Sequence, residues 1–183
     1  MENKTALIIV DLNNDFMPGG ALGVAGGHEV VPLINALMRE GGYAAVVATQ
    51  DWHVGAHPSF EQWPAHCVAG TVGAELHADL DQGAIHAVIR KGFDADVDSY
   101  SGFYNEKGES NGLAELLAAR GITDVDVVGI ATDYCVKATA IDAVTQAGFK
   151  ARVLLEACRG VEMNAGDIEA AVAAMRTAGV VVE

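Results

Sequence analysis

Basic residues are scarce in this chain. Lys and Arg together number 11 against 25 Asp and Glu, which leaves a formal net charge of -14 over 183 residues. A surface that acidic repels phosphate backbones and anionic lipid, so nucleic-acid and membrane partners are disfavoured. Cysteine is scarce too. Cys67, Cys135 and Cys158 are an odd set that implies no disulfide framework. No apolar run approaches the ~20 residues of a membrane span. The N-terminus lacks the basic region, apolar stretch and cleavage site of a secretory leader. The expectation is a reducing cytoplasm, with the cysteines as thiols. Gly19-Gly20 and Gly26-Gly27 lack the GxGxxG spacing of a dinucleotide fingerprint, and there is no Walker A pattern or CxxC pair.

What is present is a core. Hydrophobic residues make up 51% of the chain, enough to exclude disorder. Short apolar runs rich in β-branched residues recur at 6–10, 44–49, 85–89, 125–130, 151–155 and 180–182, and each reads as a strand. Segments with helical spacing alternate with them. Val30, Ile34, Leu37 and Met38 share a face that Gly41-Gly42 ends. Asn111 is a candidate cap for Leu113–Ala119. A third helix runs from about Cys135 to Ala147, and a fourth carries Ile168, Val172 and Met175 between Asn164 and Gly179. Strand-helix alternation predicts a three-layer α/β/α, Rossmann-like fold, with a mostly parallel six-stranded sheet flanked by helices. Residues 1–183 read as one domain, without repeat or linker. Two segments break the pattern: Asp11–Gly27, with five glycines, and an excursion over about 50–84. The second holds both tryptophans and four of the six histidines. Loops this long are uncommon unless functional, and both begin where strands end, the edge at which α/β sheets bind ligands.

Three strand ends offer an ionisable group. Cys135 follows the fourth strand at the start of a helix, whose free N–H groups lower a thiol's pKa. Asp11 ends the first strand, where burial suits a carboxyl to acid–base work. Lys91 ends the third. Each has a plainer reading: a small buried hydrophobe, a loop cap, a solvated charge. Together they compose a nucleophile, a proton carrier and a cation. Asp51-Trp52-His53, followed by His57 and His66, offers ligands for Zn, Fe or Mn, and an Asp-x-His pair on an extended strand points two side chains the same way. Phe16 and Trp63 offer aromatic walls for a flat ring, or simple loop packing.

Five ordered blocks then carry a resemblance. They are Ala6-Leu-Ile-Ile-Val-Asp-Leu-Asn-Asn-Asp-Phe16 with Pro18-Gly-Gly20; Thr49-Gln-Asp-Trp-His53 with His57-Pro-Ser-Phe60; Trp63-Pro-Ala-His-Cys-Val68 with Gly70-Thr71; Arg90-Lys-Gly92; and Gly129-Ile-Ala-Thr-Asp-Tyr-Cys-Val136. In these, over nearly its full length, the chain resembles the nicotinamidases (pyrazinamidases) of the isochorismatase-like cysteine hydrolase superfamily. The resemblance implies hydrolysis of nicotinamide to nicotinate and ammonia through a cysteine thioester, in NAD salvage, with pyrazinamide also accepted. It implies Cys135 as nucleophile, Asp11 as proton carrier and Lys91 as the cation favouring the thiolate. The N–H groups of Ala131 and Cys135 become an oxyanion hole beside a cis Ile130–Ala131 peptide. The resemblance further implies that Asp51, His53 and His66 hold one divalent transition metal, zinc before iron or manganese. By the same resemblance, Phe16 and Trp63 are expected to sandwich the ring, with Leu22, Tyr100 and Tyr134 nearby.

One departure stands out. Some relatives add a further His ligand after a longer gap than separates His53 from His57, which leaves the place of His57 open. Cys67 and Cys158 read as core. A homo-oligomer is compatible with the family. The competing readings are another amidohydrolase of the superfamily acting on a carbamoyl or ureido compound, and a catalytically silent binding protein on the same fold.

Overall fold

The computed structural model describes residues 4–183. Six strands form one all-parallel sheet: β1 (Thr5–Val10), β2 (Ala45–Asp51), β3 (Ala87–Lys91), β4 (Asp124–Ile130), β5 (Lys150–Arg159) and β6 (Val181–Val182). Their order across the sheet is β3-β2-β1-β4-β5-β6. The helices are α1 (Val30–Glu40), a single turn α2 (Ser59–Gln62), α3 (Leu113–Ala119), α4 (Lys137–Thr145) and α5 (Asp167–Thr177). None of the helices is long and apolar enough to cross a membrane. The expected doubly covered parallel sheet is what the chain forms.

The side-chain period of two divides β1 between two cores. Ala6, Ile8 and Val10 face one, with Leu113 and Leu117 of α3, Ala140 of α4 and Met175 of α5. Leu7 and Ile9 face the other, with Val30, Val31 and Ile34 of α1 and Leu76 and Leu80 of the long excursion. The excursion therefore serves as packing on the face that has a single long helix. Ile34 is fully buried; a side chain of that size contributes about 1.5–3 kcal/mol on burial. The α1 stripe and its glycine stop agree with the spacing, since Gly41 N–H donates to Leu37 O at 2.8 Å.

Three boundaries differ from the sequence reading. The third strand starts at Ala87, two residues later, because His86 is used outside the strand: its Nδ1 accepts from Val46 N–H at 3.0 Å. Asn111 does not cap α3; its amide reaches back to Ser99 Oγ at 2.9 Å and Ser101 O at 3.0 Å, and a left-handed Gly112 precedes the helix instead. The third predicted helix begins at Lys137, after a wide π-type turn over Thr132–Val136 in which Val136 N–H donates to Ala131 O at 3.0 Å.

The sheet's order doubles back at β1, which has β2 on one side and β4 on the other. That is the switch point at which open α/β sheets place ligands. The two neighbours come unusually close here. Gly129 of β4 has φ +117°, and a Cβ there would lie 2.2 Å from Val10 O and 2.8 Å from Val10 N. A register shift between Val127 and Gly129 against β5 accompanies it. Gly129→Ala should therefore cost about 2–6 kcal/mol, combining backbone strain with a clash against main chain that cannot yield. Urea unfolding of the two proteins measures it, and a loss under 1 kcal/mol (about the median effect of any substitution) would contradict the packing described.

Candidate active site

Four consecutive strand ends meet at the switch point. Asp11 follows β1, Asp51 closes β2, Lys91 closes β3, and Cys135 lies in the π-type turn after β4. All four are buried, and Cys135 keeps 7% of its surface, facing the pocket. Turns of this kind recur at functional positions. Asp11 has φ +48°, a left-handed conformation costly for a residue with a side chain.

Lys91 is the hub. Its Nζ lies 2.8 Å from Asp11 Oδ2, 3.0 Å from Asp51 Oδ1, 2.8 Å from Ser99 O and 3.6 Å from Cys135 Sγ. Its three hydrogens go to Asp51 Oδ1, Ser99 O and, at longer range, Cys135 Sγ, while Asp11 Oδ2 is held beside it as an ion pair. Burial opposes the charge, yet Asp11 and Asp51 outweigh it and hold the ammonium well above its ordinary pKa. The carboxylates divide unequally. Burial also opposes ionisation of Asp51, but Lys91 and hydrogen bonds from His53 and His66 bring its pKa well below the usual range. For Asp11, burial wins over Lys91, and the Asp51 charge adds to it, so its pKa rises. Burial likewise raises the Cys135 thiol against the pull of Lys91. Two carboxyls with opposite tendencies, one fixed as an anion and one ready to carry a proton beside a thiol, are the arrangement acid–base chemistry uses. The Lys91–Asp11 contact holds as an ion pair at 2.8 Å although its angle falls short of a hydrogen bond, which leaves Oδ2 without a well-aligned hydrogen bond.

Asp51 spends its other oxygen on two imidazoles. Oδ2 lies 2.9 Å from His53 Nε2 and 3.6 Å from His66 Nε2, and the two nitrogens are 3.2 Å apart. Each ring's Nδ1 faces a backbone carbonyl, Gly92 O at 3.0 Å for His53 and Pro64 O at 2.7 Å for His66. With both rings neutral and their protons turned to those carbonyls, three lone-pair atoms converge; a second proton on either ring would be donated to Asp51 instead. Such a set calls for a positive charge. Burial opposes a charge on His53, yet the hydrogen bond and charge of Asp51 outweigh it and raise its pKa. The donor set thus fits a borderline divalent cation bound by nitrogen and oxygen, its ligands oriented by carbonyls behind them. Gly92 makes this possible: at φ +62° a Cβ would lie 2.6 Å from the His53 ring.

His57 stands apart from this set. Its Nδ1 accepts from Ser59 N–H at 3.2 Å, its Nε2 faces Val97 O at 3.2 Å, and its ring packs 4.1 Å from that of His53. With both nitrogens on backbone, it buttresses His53.

The pocket over these groups holds about 460 Å³ of atom-free space including its open mouth. Its walls are mainly apolar and aromatic. Phe16 and Trp63 line it, with Leu22, Tyr100, Ile130 and Tyr134. Trp63 Nε1–H donates to Tyr100 OH at 3.0 Å and meets the Tyr134 ring edge-on, which fixes the indole plane. The Ile130–Ala131 peptide is cis. Ala131 lines the pocket beside Cys135, and its N–H donates to no carbonyl among the described residues.

Several supports escape a reading of the sequence. Ser99 lends Lys91 a carbonyl from a loop with no motif. Asn13 donates to Asp51 O at 2.9 Å and Ala74 O at 2.7 Å, joining both long loops to β2. Asp15 acts similarly, accepting from Cys67 N–H at 2.8 Å.

Residues 5–183 match the model of the Isochorismatase domain, and the chain belongs to that family. Among curated relatives, a nicotinamidase/pyrazinamidase of Mycobacterium tuberculosis is 46% identical over 96% of this chain and 96% of its own. Among solved structures, an L. infantum protein in complex with nicotinate superposes with a TM-score of 0.94 at 42% identity, covering 99% of this chain and 92% of that one. A Pyrococcus horikoshii pyrazinamidase in complex with zinc gives 0.85 at 40% identity, with 98% of each chain covered.

The hub arrangement predicts the effect of its removal. Lys91→Met leaves two buried carboxyls uncompensated and should cost about 3–5 kcal/mol at pH 7. Without the ammonium, the folded pKa of Asp11 climbs further above its unfolded value. A raised carboxyl stabilises the fold below its unfolded pKa and loses that contribution as pH rises through the folded one. The deficit should therefore narrow from pH 7 to pH 5 in urea titrations; a deficit of constant size would contradict the assignment.

Proposed function

We propose that this chain is a nicotinamidase that hydrolyses nicotinamide to nicotinate and ammonia through a thioester on Cys135, and accepts pyrazinamide by the same route. The observation that carries the reading is the convergence of Cys135, Asp11 and Lys91 under an aromatic pocket, beside a three-acceptor set that calls for a cation. The relatives named for this activity, and one bound to nicotinate, support the substrate.

The chemistry follows from the residues. Asp11, ionised, takes the Cys135 proton, and the Lys91 ammonium keeps the resulting anion stable in a site with little water. Sulfur adds to the carboxamide carbon. The N–H groups of Ala131 and Cys135 receive the charge that develops on its oxygen. Asp11, now protonated, hands its proton to the amine, so ammonia departs rather than an amide anion. A water then loses its proton to Asp11 and opens the thioester, which returns Cys135 to the thiol. Phe16 and Trp63 bracket the ring and hold the carboxamide against the sulfur, converting an encounter into a unimolecular step.

Asp51, His53 and His66 would hold one divalent transition metal, zinc first, as in the P. horikoshii relative, and the ion when bound supplies a Lewis-acidic point for the ring nitrogen. Behind these ligands, the Gly92 and Pro64 carbonyls keep both imidazoles in the tautomer that presents Nε2. We place the activity in NAD salvage and in the cytoplasm, a setting supported by three free, buried cysteines.

Two measurements test this reading. Ammonia release is compared across nicotinamide, pyrazinamide, N-carbamoylsarcosine and ureidoacrylate. The aromatic amides should be turned over, and Cys135→Ala should lose at least about 1,000-fold in rate while still binding nicotinamide. Activity confined to the carbamoyl compounds would overturn the substrate, and ordinary turnover by Cys135→Ala would overturn the nucleophile. Separately, elemental analysis should find a transition metal stoichiometric with the chain and absent from Asp51→Asn, and a chelator should lower nicotinamide turnover until zinc is restored. Full activity in protein proven metal-free would remove the ion from the reading.

A further inference from the structure

Thr49 lies on β2 two residues before Asp51, and it is completely buried. Its hydroxyl donates to Asp11 Oδ1 at 2.6 Å and accepts from Asp11 N–H at 3.2 Å. One side chain thus grips Asp11 at main chain and carboxylate together. Asp11 needs gripping, because its φ of +48° is a conformation a non-glycine residue leaves unless its surroundings over-determine it.

The two oxygens of Asp11 meet unlike surroundings. Oδ1 receives a hydroxyl hydrogen at the short distance of a charge-assisted bond. Oδ2 faces Lys91 Nζ at 2.8 Å and accepts no other well-aligned hydrogen bond among the described residues, while the Cys135 thiol lies within hydrogen-bonding reach of the Asp11 carboxylate. Thr49 lies outside the pocket lining, whereas Lys91 and Cys135 belong to it. A proton on Oδ1 would sit against the sheet, while a proton on Oδ2 would sit toward the reacting sulfur.

We propose that Thr49 is a positioning residue for the reaction: by committing its hydrogen to Oδ1, it reserves Oδ2 as the oxygen that takes and returns the proton. This rests on the reading of Asp11 as proton carrier. The step balances simply. The S–H bond of Cys135 breaks, sulfur keeps the electron pair, and an O–H bond forms at Asp11 Oδ2. The hydroxyl has one hydrogen, so while it is given to Oδ1 that oxygen stays an acceptor and the carboxylate does not turn over. The methyl of Thr49 packs by Gly102, so an isosteric replacement preserves the contact and removes only the hydroxyl.

The test uses Thr49→Val, Thr49→Ala and Thr49→Ser. Both hydroxyl-free variants should lose about 10- to 100-fold in kcat, the usual effect of removing such a support, with KM for nicotinamide nearly unchanged. Thr49→Ser should restore kcat. A purely structural role would lower Tm in all three and leave kcat of the folded fraction intact. The crystal structure of Thr49→Val or Thr49→Ala should show the Asp11 carboxylate turned about its Cβ–Cγ bond. Wild-type kcat in a hydroxyl-free variant, failure of Thr49→Ser to recover it, or an unmoved Asp11 would overturn the proposal. A wild type that releases no ammonia from nicotinamide would sink the functional reading instead, and the orientation of Asp11 in the variant crystals would still decide the role of Thr49.

Discussion

One buried ammonium organises the site. Without Lys91, the switch point of the sheet would bring two carboxyls and a thiol into an apolar pocket with no compensating charge. With it, β1, β2 and β3 can each end on a group that carries or neutralises charge, and β4 can lead into a cysteine, all within a few ångströms. The ammonium serves two carboxylates at once and cannot fully neutralise both. That shortfall sorts them: Asp51 stays anionic among imidazoles, and Asp11 is left ready to hold a proton. The division of labour between the two acids follows from charge counting.

The sheet supplies what the ammonium requires. Parallel strands covered on both faces are dry inside, so the field of Lys91 is not screened. Their carboxyl ends open onto the two long loops, which bring Phe16, Trp63 and His66 over the same point. The close approach of β4 to β1 at Gly129 sets Ile130, Ala131 and the turn bearing Cys135 beside Asp11. The excursion after β2 packs Leu76 and Leu80 under α1's face of the sheet, so the segment that carries His66 is tied into the core.

Much of this was legible in the residues. The six strands announce themselves because buried parallel strands are continuous apolar runs. Asp11, Lys91 and Cys135 stand out because each interrupts or follows such a run with an ionisable group. The Asp51–His53 pair shows in its spacing. His57 was legible only as a choice between ligand and structural support, because a histidine four residues on suits either, and the bonds to Ser59 N–H and Val97 O are those of a support. Ser99 was silent because it stands in no motif, and Asn13 and Gly92, although inside recognisable blocks, were silent because what they do is set by main-chain atoms or a distant side chain. Asn111 misled, since an Asn before a helix reads as a cap, while here its amide braces the loop that feeds Ser99 to Lys91.

Asp51 gives one oxygen to the ammonium and the other to the imidazoles. A carboxylate shared in this way is a common wall between two rooms. Charge brought to the imidazole side alters what Lys91 feels, and a change of charge at the sulfur alters what the imidazoles feel, by equal amounts of free energy. The ring-holding end and the bond-breaking end of the pocket therefore share a single electrostatic state. A reagent aimed at either end reports on both.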